Sequence, residues 1–248
     1  MKGVPVNKIF KPMLLAVLVA GFSAPAMARY LGDPVPDTKA GQVSAGLALT
    51  GQSSSYTISS SLGGSATADS GGYSNTTIYG NYGLSDRSAV RAEFGTISCS
   101  GCSSSESEIG VGYRMQLGDA SVMGGKPAKY GLLAGYHTIT GTGGFSATEY
   151  EVGGGASLEI QKNLNVFFAG AYGAYNYSKS YSYPSYSCSS TTFKCTATTV
   201  TDTITVSRAQ PLEIYGGADF LVAPNIKVGG EFHLLGVSGW GLTGRYLF

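Results

Sequence analysis

Four cysteines carry the chemistry of this sequence that depends most on spacing, and they fall into two pairs. Cys99 and Cys102 are separated by Ser-Gly, whereas Cys188 and Cys195 bracket a longer Ser/Thr-rich stretch. The first pair has redox-motif spacing but lacks the βαβ surroundings of a thioredoxin-like site, and the second is spaced too widely for ordinary zinc ligation. We expect two local disulfides, Cys99–Cys102 and Cys188–Cys195; cross-links between the pairs are the alternative.

The two histidines, His137 and His233, are the other candidates for catalysis, because a histidine beside a hydroxyl group can activate a nucleophile. Neither sequence context resembles the motifs of lipid deacylases or proteases, and alternation places His233 beside Glu231 in a structural role. The glycine strings at 141–144 and 153–155 lack the following helix that a phosphate site needs. The sequence predicts no catalytic, cofactor-binding or metal-ligating residue.

Composition excludes several protein classes. The 248 residues include 37 glycines, 12% are charged and 43% are hydrophobic. This balance argues against a disordered chain, and the glycines do not follow the collagen period. A formal net charge of +1 leaves no basic excess for nucleic acid. Beyond the N-terminal segment, no apolar run reaches the roughly 18 residues of a membrane-spanning helix.

The N-terminus has the form of a cleaved export signal. An apolar stretch over 13–22 precedes the small-x-small sequence Ala26-Met27-Ala28. The preceding positive charges are Lys2, Lys8 and Lys11. Cleavage after residue 28 would leave a mature chain beginning at Arg29, in a compartment where disulfides persist.

From Gly41 onward the hydrophobic pattern has a period of two, which indicates β-strands. Counting gives ten strands; eight is the alternative if the first hairpin or the ambiguous stretch at 165–178 is misassigned. The alternating segments are 43–50, 78–84, 90–95, 109–117, 130–136, 152–160, 166–177, 212–220, 226–233 and 240–248.

The joins between these segments also alternate in length. Tight joins are predicted near 85–87, 161–163 and 223–225. Long polar joins are predicted near 53–73, 99–105 and 180–198, and the join at 118–128 is an exception, long where a tight turn was due. Short turns at one rim and long loops at the other are typical of an antiparallel up-and-down transmembrane β-barrel.

A soluble β-sandwich is the alternative fold, but its strands are usually shorter than these. We therefore predict a signal peptide at 1–28, a periplasmic segment at 29–40 and the barrel at 41–248.

Alternation sends charged side chains to the face opposite the apolar one, which would be the barrel lumen. Seven acids and four bases are too many charges to bury unless they are paired or hydrated. Ten strands leave a lumen nearly filled by side chains, so we expect an ion-paired network with water that conducts poorly. The predicted lumen charges are Arg91, Glu93, Glu108, Arg114, Glu151, Glu159, Glu213, Asp219, Lys227, Glu231 and Arg245.

The C-terminal run from Leu242 to Phe248 resembles the terminal signature of bacterial outer-membrane β-barrels, with aromatic or apolar residues at alternate positions. Tyr246 matches this alternation, whereas Gly244 is a weaker match. The resemblance implies that Tyr246 and Phe248 are recognised by the barrel assembly machinery, and that the protein resides in the outer membrane of a Gram-negative bacterium. Trp240 is expected at the opposite membrane interface.

The family that this architecture resembles includes structural barrels, adhesins, narrow pores and a few lipid-modifying or proteolytic enzymes. We expect a non-enzymatic structural surface protein or narrow, porin-like pore for small solutes or ions, without a cofactor and surrounded by outer-membrane lipids. An adhesin that binds an extracellular ligand through its Ser/Tyr-rich loops is the first alternative, and an enzyme is the second.

Overall fold

The computed structural model describes residues 29–69, 71–99, 105–122, 125–141, 146–188 and 195–248. The predicted signal peptide and Cys102 lie outside the described residues. Within the described part of the chain, no helix is long and apolar enough to cross a membrane. The strands are β1 (Val43–Ser60), β2 (Ser65–Asp69), β3 (Tyr73–Ser85), β4 (Ser88–Cys99), β5 (Glu106–Val122), β6 (Lys126–Thr140), β7 (Ser146–Gln161), β8 (Leu164–Cys188), β9 (Cys195–Arg208), β10 (Leu212–Ala223), β11 (Ile226–Leu235) and β12 (Val237–Leu247).

Ten of these strands close into an antiparallel barrel, which confirms the predicted fold and strand count. The ring runs β1, β3, β4, β5, β6, β7, β8, β10, β11 and β12, and β12 pairs back onto β1 from Ser44↔Leu247 to Ser54↔Val237. Each strand alternates between buried and exposed side chains, because one face lines the lumen and the other faces outward. Closure leaves no unpaired edge around the ring.

The outside of the barrel carries an apolar band with sharp limits. Its lower limit is the turn rim, where tight turns fall at 86–87, 162–163 and 224–225. Toward the opposite end, the loop rim, exposed Ile78 on β3 gives way to exposed Thr76, and Phe94 on β4 gives way to Thr96. The band therefore has the form of a hydrocarbon-facing belt with polar borders.

Two strands extend past the loop rim and build a second sheet, which corrects the long loops predicted at 53–73 and 180–198. The distal half of β8 pairs with β9, the end of β9 pairs with the end of β1, and β1 also pairs with β2. We call this four-stranded β2-β1-β9-β8 assembly the loop-rim sheet. Its Ser/Thr-rich strands hide a period of two, because Ile58 and Ile204 alternate with hydroxyl residues and point inward.

The join predicted at 118–128 is also a continuation of strands. β5 runs to Val122 and β6 starts at Lys126, so the hairpin projects below the turn rim and turns near Gly125. The Gly125 backbone has a φ of 73°, a left-handed conformation that glycine adopts without strain.

The loop-rim end of the lumen is covered by apolar side chains that we call the cap. Its inward residues pack together with the Tyr56 and Tyr175 rings edge to face, 5.3 Å between centroids. The cap consists of Tyr56, Ile58, Tyr73, Ile97, Ile139, Ala147, Tyr175, Tyr177, Ile204 and Val206.

The N-terminal segment enters the lumen, where a periplasmic segment at 29–40 was predicted. Residues 29–38, here called the plug, are buried apart from the partly exposed Asp37. The plug starts near Gln52 below the cap and reaches the turn rim, where the Gly41 amide donates to the Gly83 carbonyl at 2.8 Å. The expectation failed because the plug is held by lumen charges distributed over many strands, which no local pattern reveals.

Candidate functional site: the filled lumen

The plug begins in a cluster of carboxylates near the cap. The Arg29 guanidinium lies 2.9 Å from Glu149, 3.0 Å from Glu151 and 3.6 Å from Glu108. Arg208, which enters from the end of β9, also pairs with Glu149. Since these side chains are nearly excluded from solvent, each carboxylate depends on its cationic partner for stabilisation.

His137 lies in the same cluster and contacts Glu108 and one further carboxylate, Glu93. Its Nδ1 atom is 3.0 Å from both Glu93 and Glu108, and Arg91 pairs with Glu93 at 2.8 Å. One side-chain donor atom each of His137, Glu93 and Glu108 lie within 4.8 Å of one another, and a metal ion could use this donor set. However, Arg29 and Arg91 already bring positive charge to these carboxylates, so we assign no metal here.

The middle of the plug is bound through its backbone. The amides of Leu31 and Gly32 donate to the two oxygens of the Glu231 carboxylate, at 2.8 and 2.7 Å. Nε2 of His233 lies 2.9 Å from the same carboxylate, and its Nδ1 contacts Glu213. Both ring nitrogens of His233 therefore face carboxylates and not a hydroxyl nucleophile.

The end of the plug is bound near the turn rim by ion pairs. The Asp37 carboxylate lies 2.7 Å from Lys227 and 2.5 Å from Arg245, and Arg245 also reaches Asp219 at 2.6 Å. Higher up, the Ser157 hydroxyl donates to Asp33 at 2.6 Å. Charged contacts thus hold the plug at both ends.

Inward glycines make room for the plug. A Cβ at Gly131 would lie 2.5 Å from the Pro34 carbonyl oxygen, and one at Gly241 would lie 2.9 Å from the Tyr30 ring. The space left beside Arg29 is a cavity of about 20 Å³, room for about one water. The buried plug therefore packs closely against the lumen wall beside Arg29.

Most of the predicted lumen charges do face the lumen. Glu159 is the exception. Its place in the alternation of β7 predicts an inward side chain, but it is exposed because β7 reaches the turn rim there. The lumen-facing members are Arg91, Glu93, Glu108, Arg114, Glu151, Glu213, Asp219, Lys227, Glu231 and Arg245.

Sequence reasoning missed the charges that the plug and its surroundings contribute. Glu149 has the same parity as Glu151 and could have been found by extending that segment. Arg208 lies beyond a join assigned as loop, and the plug residues Arg29, Asp33 and Asp37 carry no periodic signal.

The cysteines lie at the loop-rim ends of strands. Cys195 is disulfide-bonded, and the β8–β9 register places Cys188 opposite it. Cys99 ends β4. The predicted pairings Cys99–Cys102 and Cys188–Cys195 remain predictions.

Outside the lumen, the aromatic residues mark the two borders of the apolar band. Trp240 is exposed toward the loop rim, and Tyr246 and Phe248 are exposed at the turn rim, their rings 4.9 Å apart. Exposed apolar side chains around a closed ring with a polar interior require a bilayer outside, because water would leave the entire belt unburied. The protein is a transmembrane β-barrel. In barrels of this kind, long loops are typical of the extracellular end and short turns of the periplasmic end.

The chain is similar to several solved β-barrels at low sequence identity. No family model and no curated protein matches the sequence. Among solved structures, a de novo designed transmembrane β-barrel is 10% identical with a TM-score of 0.32, and covers 86% of this chain and 100% of its own. An outer-membrane channel from Pseudomonas putida F1 is 10% identical with a TM-score of 0.37, and the match covers 88% of this chain and 98% of the channel. Ail, the attachment invasion locus protein of Yersinia pestis, is 12% identical with a TM-score of 0.28. The match covers 84% of this chain and 99% of Ail.

Proposed function

We propose that the protein is a non-conducting, non-enzymatic outer-membrane barrel that acts at the cell surface through its loop-rim sheet. The observation that carries this proposal is the plug, which occupies the passage that a pore would need. The cap adds an apolar layer above it, and an ion would lose hydration there without gaining a partner.

The contacts of the histidines argue against the enzyme alternative. Within the described residues, His137 contacts Glu93 and Glu108, and His233 contacts Glu213 and Glu231. A hydrolase of the Ser–His type needs the histidine beside a hydroxyl group. Here carboxylates take that place, and the histidines are part of the ion-paired network that holds the plug.

The loop-rim sheet offers a surface for an extracellular ligand. An open groove of about 400 Å³ lies where the β11–β12 turn meets the sheet, between the Ser53 and Ser55 side and Leu235. Asp69 lies in this groove and accepts a hydrogen bond from Ser55 at 2.6 Å. Hydroxyl groups, a carboxylate and an apolar wall together suit a neutral carbohydrate, and a phosphate would be repelled by the carboxylate.

Binding to an array of neutral glycans tests the ligand half of this proposal. We expect the purified native protein to bind, and Asp69→Asn to weaken binding by about tenfold because a charged hydrogen-bond acceptor is lost. Asp119→Asn, at an exposed position near the turn rim, is the matched control and should bind like the native protein. No binding by the native protein would reject the carbohydrate ligand, and equal binding by Asp69→Asn would reject the groove as its binding site.

A further inference from the structure

The backbone nitrogen of Arg29 has a defined place inside the barrel. It donates to Oε1 of Gln52 at 3.2 Å, and Nε2 of Gln52 donates back to the Arg29 carbonyl at 3.0 Å. Both residues are buried, with exposed fractions of 5%. The start of the plug is thus fixed by two reciprocal hydrogen bonds in addition to the ion pairs of its side chain.

Charged side chains cluster around the start of the plug. Glu108, Glu149 and Glu151 surround the Arg29 guanidinium, and His137 and Glu93 lie beyond them. A peptide nitrogen offers one proton for hydrogen bonding, whereas a free ammonium group offers three and a full charge. A charged donor also makes stronger hydrogen bonds than a neutral one.

The inward face of β1 beyond Gln52 is closely packed. Tyr56 and Ile58 follow Gln52 on the inward face of β1, and both are 1% exposed within the cap.

The sequence independently predicts a cleavage at this nitrogen. Ala26-Met27-Ala28 is a small-x-small site after the predicted export signal, and the bond that would be cleaved joins Ala28 to Arg29. The residue that occupies the buried end of the plug is therefore the residue that export processing would expose. Neither observation depends on the other.

We propose that the α-ammonium group created by signal cleavage is itself the docking group of the plug. A signal peptidase adds water across the Ala28–Arg29 peptide bond, which leaves a carboxylate on Ala28 and an ammonium group on Arg29. The ammonium group then donates to Gln52 beneath the cap. This inference rests on the plugged lumen of the proposed function, but its central observable is the reactivity of an amine.

The test inserts Gly-Ser-Gly-Ser between Ala28 and Arg29, which keeps the cleavage site and moves the new N-terminus away from the plug. The matched control carries the same insertion between Lys162 and Asn163, in a turn at the opposite rim. N-terminal sequencing identifies the mature end, and mass spectrometry measures labelling of the α-amine by a small amine-reactive reagent at neutral pH. Heat modifiability verifies that each variant has formed a barrel.

We expect a native chain beginning at Arg29 whose α-amine is labelled at least about tenfold more slowly than that of the extended variant, because a buried group reacts only after local opening. The control insertion should behave like the native chain. Gln52→Leu, which removes the acceptor without extending the chain, should raise labelling of the native terminus. A mature end at another residue, or a native α-amine as reactive as the extended one, would overturn the proposal; neither outcome depends on whether the lumen conducts.

Discussion

The Arg29 guanidinium donates to the Glu149 carboxylate at 2.9 Å, joining the start of the plug to β7 across 120 positions of sequence. Without Arg29, the remaining partner of Glu149 in the described ion pairs is Arg208. The plug that occupies the lumen therefore also supplies positive charge to a carboxylate of the lumen wall.

Arg29→Ala should destabilise the barrel by about 3–5 kcal/mol, because removing one partner of a buried ion pair leaves uncompensated charge. Thermal unfolding in detergent measures this change, with the loss of heat modifiability on a gel as the readout. Arg87→Ala is the matched control, since Arg87 pairs with Asp119 in an exposed position and should change stability by less than about 1 kcal/mol. Equal effects of the two substitutions would show that the buried ion pair contributes no more to stability than the exposed one.

Gly131→Ala should displace the plug, because the new Cβ would lie 2.5 Å from the Pro34 carbonyl oxygen. Overpacking of this kind costs about 1–3 kcal/mol. Gly244→Ala provides the comparison, since nothing lies within 4 Å of a Cβ there. Limited proteolysis near residues 29–38 should be faster in Gly131→Ala than in Gly244→Ala, and identical rates would contradict the steric role of Gly131.

The barrel ring could be predicted from the sequence because each strand has one lipid-facing and one lumen-facing side. Apolar and polar residues therefore alternate along each strand with a period of two. The loop-rim sheet was missed because small hydroxyl residues outnumber the apolar ones there, although Tyr56 and Ile58 keep the same period. The plug could not be predicted, since its partners Glu149, Glu231 and Arg245 belong to three distant strands.

Reducing the predicted Cys188–Cys195 disulfide should loosen the β8–β9 hairpin without opening the barrel. The loop that it closes is short, so its contribution to stability is on the order of 2–3 kcal/mol at most and is confined to the hairpin. Proteolysis within 180–200 should accelerate on reduction while heat modifiability persists. Peptide mapping that joins Cys188 or Cys195 to Cys99 would instead establish cross-linking between the two predicted pairs.

Removal of Phe248 should reduce the amount of heat-modifiable protein in the outer membrane, because the resemblance at the C-terminus assigns this residue to recognition by the assembly machinery. Leu247→Ala is the control, since position 247 lies outside the alternation that includes Tyr246 and Phe248. Quantitative immunoblotting of outer-membrane fractions gives the measurement. Undiminished assembly without Phe248 would show that the C-terminal likeness is accidental.

The closed lumen is tested most directly by single-channel conductance in planar bilayers, comparing the native protein with a variant in which residues 29–38 are deleted. We predict very low conductance for the native barrel. Deletion removes Arg29 and leaves Glu108, Glu149 and Glu151 facing an unplugged lumen, so we expect a larger, cation-favouring conductance that the remaining cap limits. A large native conductance that the deletion leaves unchanged would contradict the assignment of residues 29–38 as a plug.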